Sequence, residues 1–175
     1  MKAFAVGVLW FAGATAVTWL TLKPSSGVAA ERRIHASNCR GLQEWHDDLL
    51  DMEGYGLGNN DSSGSTMADC PFDDDDAFRA DLLQALNVHV YDAWNGTGSA
   101  YDVGAQACIT YWGSNGGACG SWADTLGNAG NYTLQPSRSV WSYDARFDFH
   151  FVRVSLAKKN GSVQSKVRGI WAYKP

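Results

Sequence analysis

Four cysteines constrain the fold of this 175-residue chain more than any other feature. They are Cys39, Cys70, Cys108 and Cys119. The chain has no Cys-x-x-Cys pair, and no cysteine stands at metal-ligand spacing from a histidine, so two disulfides are favoured over a zinc site. Disulfides persist in oxidising compartments, which predicts a location outside the reducing cytosol.

The N-terminal segment is typical of an exported protein. One lysine precedes an apolar run from Ala3 to Leu22, and a Val-Ala-Ala sequence supplies the small residues of a signal-peptidase site before Glu31. We therefore predict a signal peptide over residues 1–30 and a single domain over residues 31–175, which is secreted, periplasmic or on the cell surface. The apolar run of about 20 residues could also span a bilayer, so an uncleaved membrane anchor is the alternative.

Charge is distributed unevenly along the chain, whose formal net charge is −4. Residues 41–102 contain fourteen acids and one base, whereas residues 138–175 contain eight bases and two acids. Such asymmetry can mark a polyanion-binding face. We favour the simpler interpretation, in which the two segments lie near each other and offset each other. The net acidity argues against nucleic acid as a partner.

Alternating apolar and polar residues predict an all-β fold. The run ALNVHVYD places Leu86, Val88 and Val90 on one apolar face. Seven or eight such runs, separated by Asn-Gly and Gly-Asn turn signals, predict an antiparallel two-sheet sandwich that is jelly-roll-like. One or two short helices are expected, within residues 42–54 and residues 75–86.

The same alternation assigns faces in the last two strands. In RFDFHFVRVSLA it predicts that the phenylalanines lie on the apolar face and that His150 lies opposite them. In SKVRGIWAY it predicts that Val167, Trp171 and Tyr173 share one face. His150 and His89 are therefore expected to be surface residues rather than catalytic bases.

The segment ACITYWGSNGGAC allows two hairpin registers. An Asn-Gly turn would leave Cys108 about 13 Å along the strand from the position opposite Cys119, which is too far for a disulfide. A Gly-Ser turn two residues earlier would place Cys108 directly opposite Cys119. We predict a Cys108–Cys119 bond, through this register or through a longer irregular loop. By exclusion, we also predict a Cys39–Cys70 bond.

Two segments contain oxygen ligands of the kind that calcium prefers. Asn59 and Asp61 alternate as at the start of a calcium-binding loop, but the bidentate glutamate that should follow is absent. In the run Asp73–Asp76, two carboxylates, Asp73 and Asp75, could join such a site, although a solvated loop is the simpler interpretation. No cofactor is therefore expected, and calcium at these residues is the alternative.

Aromatic residues near predicted loops supply the strongest functional signal. Apolar ring faces stack on sugars, while amides and carboxylates bond their hydroxyl groups. The candidate ligand-binding residues, grouped mainly around the hairpin tip, are Trp94, Tyr111, Trp112, Asn115 and Trp122. The alternative is that the tryptophans pack in the core. The sequence lacks a Gly-x-Ser-x-Gly or HExxH motif, so no catalytic residue is assigned.

A series of short motifs runs through residues 31–175. It comprises Cys39, GYGLGNN, Cys70-Pro71, VHVYDAW, Cys108 and an S-x-V-x-G-I strand at Ser165–Ile170. This series resembles a group of small, largely uncharacterised secreted bacterial β-sandwich proteins. The resemblance implies the fold and an exported location but no activity. In that group a later cysteine often lies in the penultimate strand, where this chain has Val154.

These features together predict an exported, non-catalytic binding or cell-surface protein with a glycan or cell-envelope ligand. One alternative is a secreted hydrolase that uses a carboxylate pair not yet identified. Another is a structural or adhesive surface component. A binding module should have a shallow aromatic groove, whereas an enzyme should have a deep cleft that holds at least two titratable groups.

Overall fold

The expected all-β sandwich is confirmed. A computed structural model describes residues 30–72, 78–96, 98, 100–111, 116–141 and 148–175. Within these ranges, twelve strands form two six-stranded antiparallel sheets. The strand number exceeds seven or eight because short strands of two to four residues extend the sheet edges. No helix within the described ranges is long and apolar enough to cross a membrane.

The first sheet contains the N-terminal and C-terminal strands of the described chain. Its members are β1 (Ala30–His35), β3 (Leu50–Glu53), β4 (Gly56–Asn59), β6 (Ala85–Asp92), β10 (Gly130–Leu134) and β12 (Lys166–Lys174). The strand order is β10–β6–β12–β4–β3, and β1 also pairs with β12. The face predicted for β6 is confirmed, because Leu86, Val88 and Val90 are all buried.

The second sheet packs against the first and encloses the core. Its members are β2 (Arg40–Gly41), β5 (Thr66–Phe72), β7 (Gly104–Tyr111), β8 (Gly117–Cys119), β9 (Ala123–Asp124) and β11 (Asp148–Leu156). The strand order is β2–β5–β11–β7–β8, and β9 also pairs with β7. Small residues of β7 and valines of β11 are completely buried against the first sheet.

Helical structure is limited to single turns. The α-helix α1 covers Glu44–Asp47, and 3-10 turns cover Ala36–Asn38 and Ala80–Leu82. The helix expected within residues 42–54 is therefore shorter than the apolar pattern indicated. Residues from Leu50 onward pair with β4 as a strand instead, because the ladder satisfies their backbone groups.

Both predicted disulfides are confirmed. Cys39 bonds to Cys70, and Cys108 bonds to Cys119. Cys108 lies directly opposite Cys119 in the β7–β8 pair, as the second of the two hairpin registers requires. The tip of that hairpin, residues 112–115, lies outside the described residues.

The face predicted for β11 is wrong. Phe149 is 58% exposed, whereas His150 is buried together with Val152 and Val154. The aliphatic residues that follow His150 share its face and continue for longer than the phenylalanine run. The hydrophobic free energy gained by burying Val152, Val154 and Leu156 outweighs that lost by exposing Phe149. The face of β11 that carries His150 therefore points into the core.

The face predicted for the second half of β12 is also wrong. A β-bulge between Val167 and Gly169 inserts one extra residue into the ladder. Val167 and Ile170 therefore both face the core, while Trp171 and Tyr173 face outward. One inserted residue reverses the alternation of all residues beyond it, which a regular period-2 pattern does not predict.

Ion pairs join the acid-rich and base-rich segments. Arg153 in β11 forms a two-pronged bond to Asp69 in β5, with both N–O distances at 2.8 Å. Lys166 in β12 contacts Glu53 in β3 at 2.5 Å. These contacts support the interpretation in which the two segments offset each other within the fold.

Candidate functional site

A pocket of about 490 Å³ opens on the outer face of the second sheet. Its floor is a row of cross-strand neighbours: Met67 in β5 pairs with Ser155 in β11, which pairs with Gly104 in β7. Gly104 in turn pairs with Asp124 in β9. Paired residues on adjacent strands project from the same face. The register therefore brings a thioether, a hydroxyl and a carboxylate together around a glycine.

Trp122 forms one wall of this pocket. A Cβ atom placed on Gly104 would lie 3.0 Å from Trp122 Cε3 and 2.5 Å from Asp124 Oδ1. Glycine is therefore required for the indole ring and the carboxylate to approach the strand so closely. Trp122 remains 39% exposed, so part of its ring is accessible to a ligand.

A second carboxylate, that of Asp102, lines the same pocket, which we call the Asp102–Asp124 pocket. The backbone N–H of Gly98 donates to Asp102 Oδ2 at 2.7 Å. The other oxygen, Oδ1, is buried and has no donor among the described residues. Burial, together with the nearby charge of Asp102, raises the pKa of Asp124 above its ordinary value. The two carboxylates thus interact electrostatically within one pocket.

The buried carboxylate of Asp92 positions both acids. Its Oδ2 accepts hydrogen bonds from the hydroxyl of Thr125 and, at 3.4 Å, from the backbone N–H of Val103. Val103 directly follows Asp102, and Thr125 directly follows Asp124. The Thr125 N–H also donates to the Val103 carbonyl at 3.0 Å. The pocket is therefore held in place by hydrogen bonds beneath it.

Trp94 belongs to a structural cluster rather than to the pocket wall. It is partly buried, and its indole N–H donates to the carbonyl of Lys158 at 2.6 Å. Its ring meets Tyr101 edge-on, with centroids 5.1 Å apart, and the Lys158 ammonium lies over both rings. This cluster supports the loop that leads into Asp102.

The structure separates Trp122 from the hairpin tip with which the sequence grouped it. After Cys119 the chain runs back along β7, so Trp122 lies beside Gly104 at the start of that strand. Tyr111 is exposed at the other end of β7. Gly104 and Tyr111 are seven residues apart along the strand, a distance of roughly 23 Å. A small ligand that contacts Trp122 therefore cannot also contact Tyr111.

The two described calcium candidates bond within their own loop. Asn59 is buried, and its Oδ1 accepts from the Asp61 N–H at 2.8 Å and from the Thr66 hydroxyl at 3.1 Å. Both carboxylate oxygens of Asp61 accept from the Ser63 hydroxyl. These bonds satisfy the oxygens locally and explain the loop without an ion.

Four of the predicted site residues lie outside the described residues. They are Trp112 and Asn115 at the hairpin tip, and Asp73 and Asp75 in the acidic run. Their roles, and calcium binding at Asn59 and Asp61, stay predictions. In the part of the chain that the structure describes, no group of three or more histidine, cysteine or acidic side chains could hold a metal ion.

Sequence reasoning missed Asp92, Asp102 and Asp124. A local signal was present for Asp124, because Trp122 and Asp124 are two residues apart and therefore share a face of an extended segment. Asp102 joins them only through the pairing of β7 with β9, which no local pattern indicates.

Comparisons with known proteins leave this site without an assigned function. No family model matches the chain, and no curated protein is similar to it at a significant level.

Proposed function

We propose that the protein is an exported saccharide-binding protein and that the Asp102–Asp124 pocket is its binding site. The observation that carries this proposal is the exposed ring of Trp122 beside two carboxylates in one pocket. An indole face packs against the C–H groups of a sugar ring, while carboxylates accept hydrogen bonds from its hydroxyl groups.

The remaining lining residues suit the same ligand class. Ser65 and Ser155 contribute hydroxyl groups that can donate to or accept from a sugar. Met67 adds an adaptable apolar contact next to Ser155. The bonds to Asp92 preform the pocket, which lowers the entropy that binding must overcome.

Export rests on a separate observation. The two disulfides support an oxidising compartment such as the periplasm or the extracellular space. A saccharide-binding role is consistent with such a location, because cell-envelope and extracellular glycans are accessible there.

A glycan array probed with the purified, oxidised protein tests the proposal. We expect binding to at least one saccharide, and we expect Trp122→Ala to weaken it by about tenfold or more, which corresponds to about 1.4 kcal/mol. Tyr55→Ala is the matched control, because Tyr55 is an aromatic residue that is 88% exposed and lies outside the pocket. The control should bind like the wild type.

Two results would contradict saccharide binding in this pocket. One is the absence of any bound glycan on the array. The other is a Trp122→Ala variant that binds as tightly as the Tyr55→Ala control while remaining folded by circular dichroism.

The raised pKa of Asp124 supports a second candidate function, glycoside hydrolysis. Such enzymes use one protonated and one ionised carboxyl group, and environments that separate the pKa values of two acids create that pair. In this pocket Asp124 is the candidate acid and Asp102 the candidate base or nucleophile. Release of reducing sugar from the bound glycan would support hydrolysis, provided that Asp124→Asn abolishes it. If the glycan binds but no reducing sugar is released, the protein binds saccharides without hydrolysing them.

A further inference from the structure

A second cleft, of about 630 Å³, lies on the outer face of the first sheet, opposite the Asp102–Asp124 pocket. We call it the arginine cleft. Its lining residues that matter here are Arg33 and His35 of β1, His89 of β6, and Arg168, Ile170 and Trp171 of β12. No role follows for these residues from the proposed saccharide site.

The centre of the cleft is a row of three paired residues. Gly169 pairs with His35 on one side and with His89 on the other. The two histidines are thus two strand spacings apart, about 10 Å, with no side chain between them. Glycine is required at the centre because a Cβ atom there would lie 2.9 Å from the carbonyl oxygen of Ile34. The register therefore creates a gap between two imidazole rings.

The β-bulge in β12 supplies the cationic and aromatic lining. Arg168 is the extra residue of the bulge, and it is exposed with its guanidinium group 5.8 Å from the ring centroid of Tyr91. It makes no ion pair with any described residue. The bulge also turns Trp171 outward, next to its β1 partner Arg33. One backbone irregularity thus brings a guanidinium group and an indole ring to the same face.

Basic residues outnumber acidic ones in the strands that form and flank the cleft, whereas β3 at the edge of the same sheet adds Asp51 and Glu53, of which Glu53 pairs with Lys166. The strands β1, β6, β10 and β12 contain two acids, Glu31 and Asp92. Asp92 is buried beneath the sheet. Glu31 contacts Arg33 at 3.3 Å in an exposed pair, which contributes little energy and exchanges readily. An anion in the cleft would therefore meet an excess of cationic groups.

The floor of the cleft is apolar. It consists of the glycine backbone at Gly169 and the partly buried ring of Trp171, whereas the side chains of Ile34 and Ile170 point into the core below. The indole N–H of Trp171 is itself buried and has no acceptor among the described residues. Apolar floor and cationic rim together favour a ligand that has an apolar body and one anionic group.

We propose that the arginine cleft binds a small amphipathic carboxylate, such as an aromatic carboxylic acid. The apolar body of the ligand packs on Trp171 and over the bare backbone of Gly169, and its carboxylate accepts hydrogen bonds from Arg168 and Arg33. Guanidinium groups suit this contact because their forked N–H donors match both carboxylate oxygens. The imidazole rings of His35 and His89 add polar groups on either side of Gly169. The Nδ1 atom of each ring is hydrogen-bonded to a neighbouring hydroxyl group.

Isothermal titration of the oxidised protein with 2-naphthoate and with the uncharged 2-naphthamide tests the proposal. The two probes have the same ring system and differ in charge. We expect 2-naphthoate to bind at least tenfold more tightly than 2-naphthamide, and we expect Arg168→Gln and Arg33→Gln each to reduce 2-naphthoate affinity several-fold. Arg40→Gln is the matched control, because Arg40 is an exposed arginine in β2 of the other sheet.

Several results would overturn the proposal. Equal affinity for the two probes would show apolar docking without recognition of charge, and no binding of 2-naphthoate at millimolar concentration would exclude the ligand class. An equal loss in Arg40→Gln would indicate a nonspecific charge effect. A loss in Trp122→Ala would assign the probe to the Asp102–Asp124 pocket. A dimer in sedimentation that Arg168→Gln dissociates would assign the cleft to a second copy of the chain.

The two proposals can fail separately. Trp122→Ala tests the saccharide site and should leave 2-naphthoate binding unchanged, whereas Arg168→Gln should leave the glycan-array signal unchanged. Each variant is therefore a control for the other site.

Discussion

The raised pKa of Asp124 predicts a small destabilisation of the fold at neutral pH, because Asp124 is exposed and solvent screens its charge. Burial and the charge of Asp102 raise its pKa in the folded state above the unfolded value of 3.8. A raised carboxyl pKa means that the folded protein holds the proton more tightly than the unfolded chain does. The resulting stabilisation is present below the unfolded pKa and is lost as pH rises through the folded pKa. At neutral pH, therefore, we expect the ionised carboxylate to destabilise the fold slightly.

Replacement of Asp124 by asparagine should consequently raise the free energy of unfolding at pH 7. The amide keeps the size of the side chain and removes the charge that burial and Asp102 disfavour. In urea unfolding measured from about pH 4 to pH 7, we expect the variant to lose less stability with rising pH than the wild type. Saccharide binding should weaken at the same time.

The control for this experiment is Asp51→Asn. Asp51 is an exposed residue of β3 and lies outside the pocket. Its replacement should change stability by less than about 0.5 kcal/mol. An Asp124→Asn variant that is less stable than the wild type at pH 7 would contradict a destabilising carboxylate.

At the scale of the strand, regular patterns were predictable and irregular ones were not. The alternation in β6 predicted its buried face, because Leu86, Val88 and Val90 alternate regularly with polar residues. In β12 the bulge at Arg168 reversed that period, and the outward positions of Trp171 and Tyr173 were missed. A bulge depends on pairing with β6 and β4, which are far away in sequence.

The site follows the same rule. Cys108 and Cys119 lie in one hairpin, so local register predicted their bond. Asp102 and Asp124 meet through the pairing of β7 with β9, and Asp92 reaches them from the other sheet. The candidate site was therefore predicted only at Trp122, because the remaining contacts depend on long-range packing rather than on neighbouring residues.

The bulge strand offers a prediction at this scale. Gly169→Ala should destabilise the β1–β12 pair, because the added Cβ would lie 2.9 Å from the Ile34 carbonyl oxygen and the backbone must move. We expect a loss of about 1–3 kcal/mol, as for overpacked core positions. Hydrogen exchange should become faster at the β1 amides, whereas amides of β7 in the other sheet should be unaffected.

Gly64→Ala is the matched control for this substitution. A Cβ atom at Gly64 would have no neighbour closer than 3.6 Å, which is ordinary van der Waals contact. The control should therefore change stability little. Equal stability of the two variants would mean that β1 can move away from β12 at little cost. The close approach of Gly169 to the Ile34 carbonyl would then not be needed for this pairing.

At the scale of the molecule, the sandwich separates two surfaces of opposite character. The second sheet presents two carboxylates and an indole ring, and the first sheet presents two guanidinium groups around an apolar floor. A core of close-packed side chains lies between them. The named residues of the arginine cleft all belong to the first sheet. The Asp102–Asp124 pocket depends on both sheets, because Asp92 of β6 holds the segments that carry its two acids.

The stability of the whole molecule should depend on its disulfides. Bonds across sequence separations of 31 and 11 residues contribute about 4 and about 3 kcal/mol by loss of unfolded-chain entropy. Their sum is comparable with the total stability of a domain of this size, about 5–15 kcal/mol. A thiol reductant should therefore lower the urea midpoint of unfolding by more than about 2 M.

The two bonds should differ in their effect. Cys39 and Cys70 are both buried, whereas Cys119 is exposed, so removal of the first bond also disturbs core packing. Cys39→Ala with Cys70→Ala should thus lower the urea midpoint further than Cys108→Ala with Cys119→Ala. A reduced protein that unfolds at the same urea concentration as the oxidised one would show that packing alone maintains the sandwich. That result would remove the physical reason for folding in an oxidising compartment.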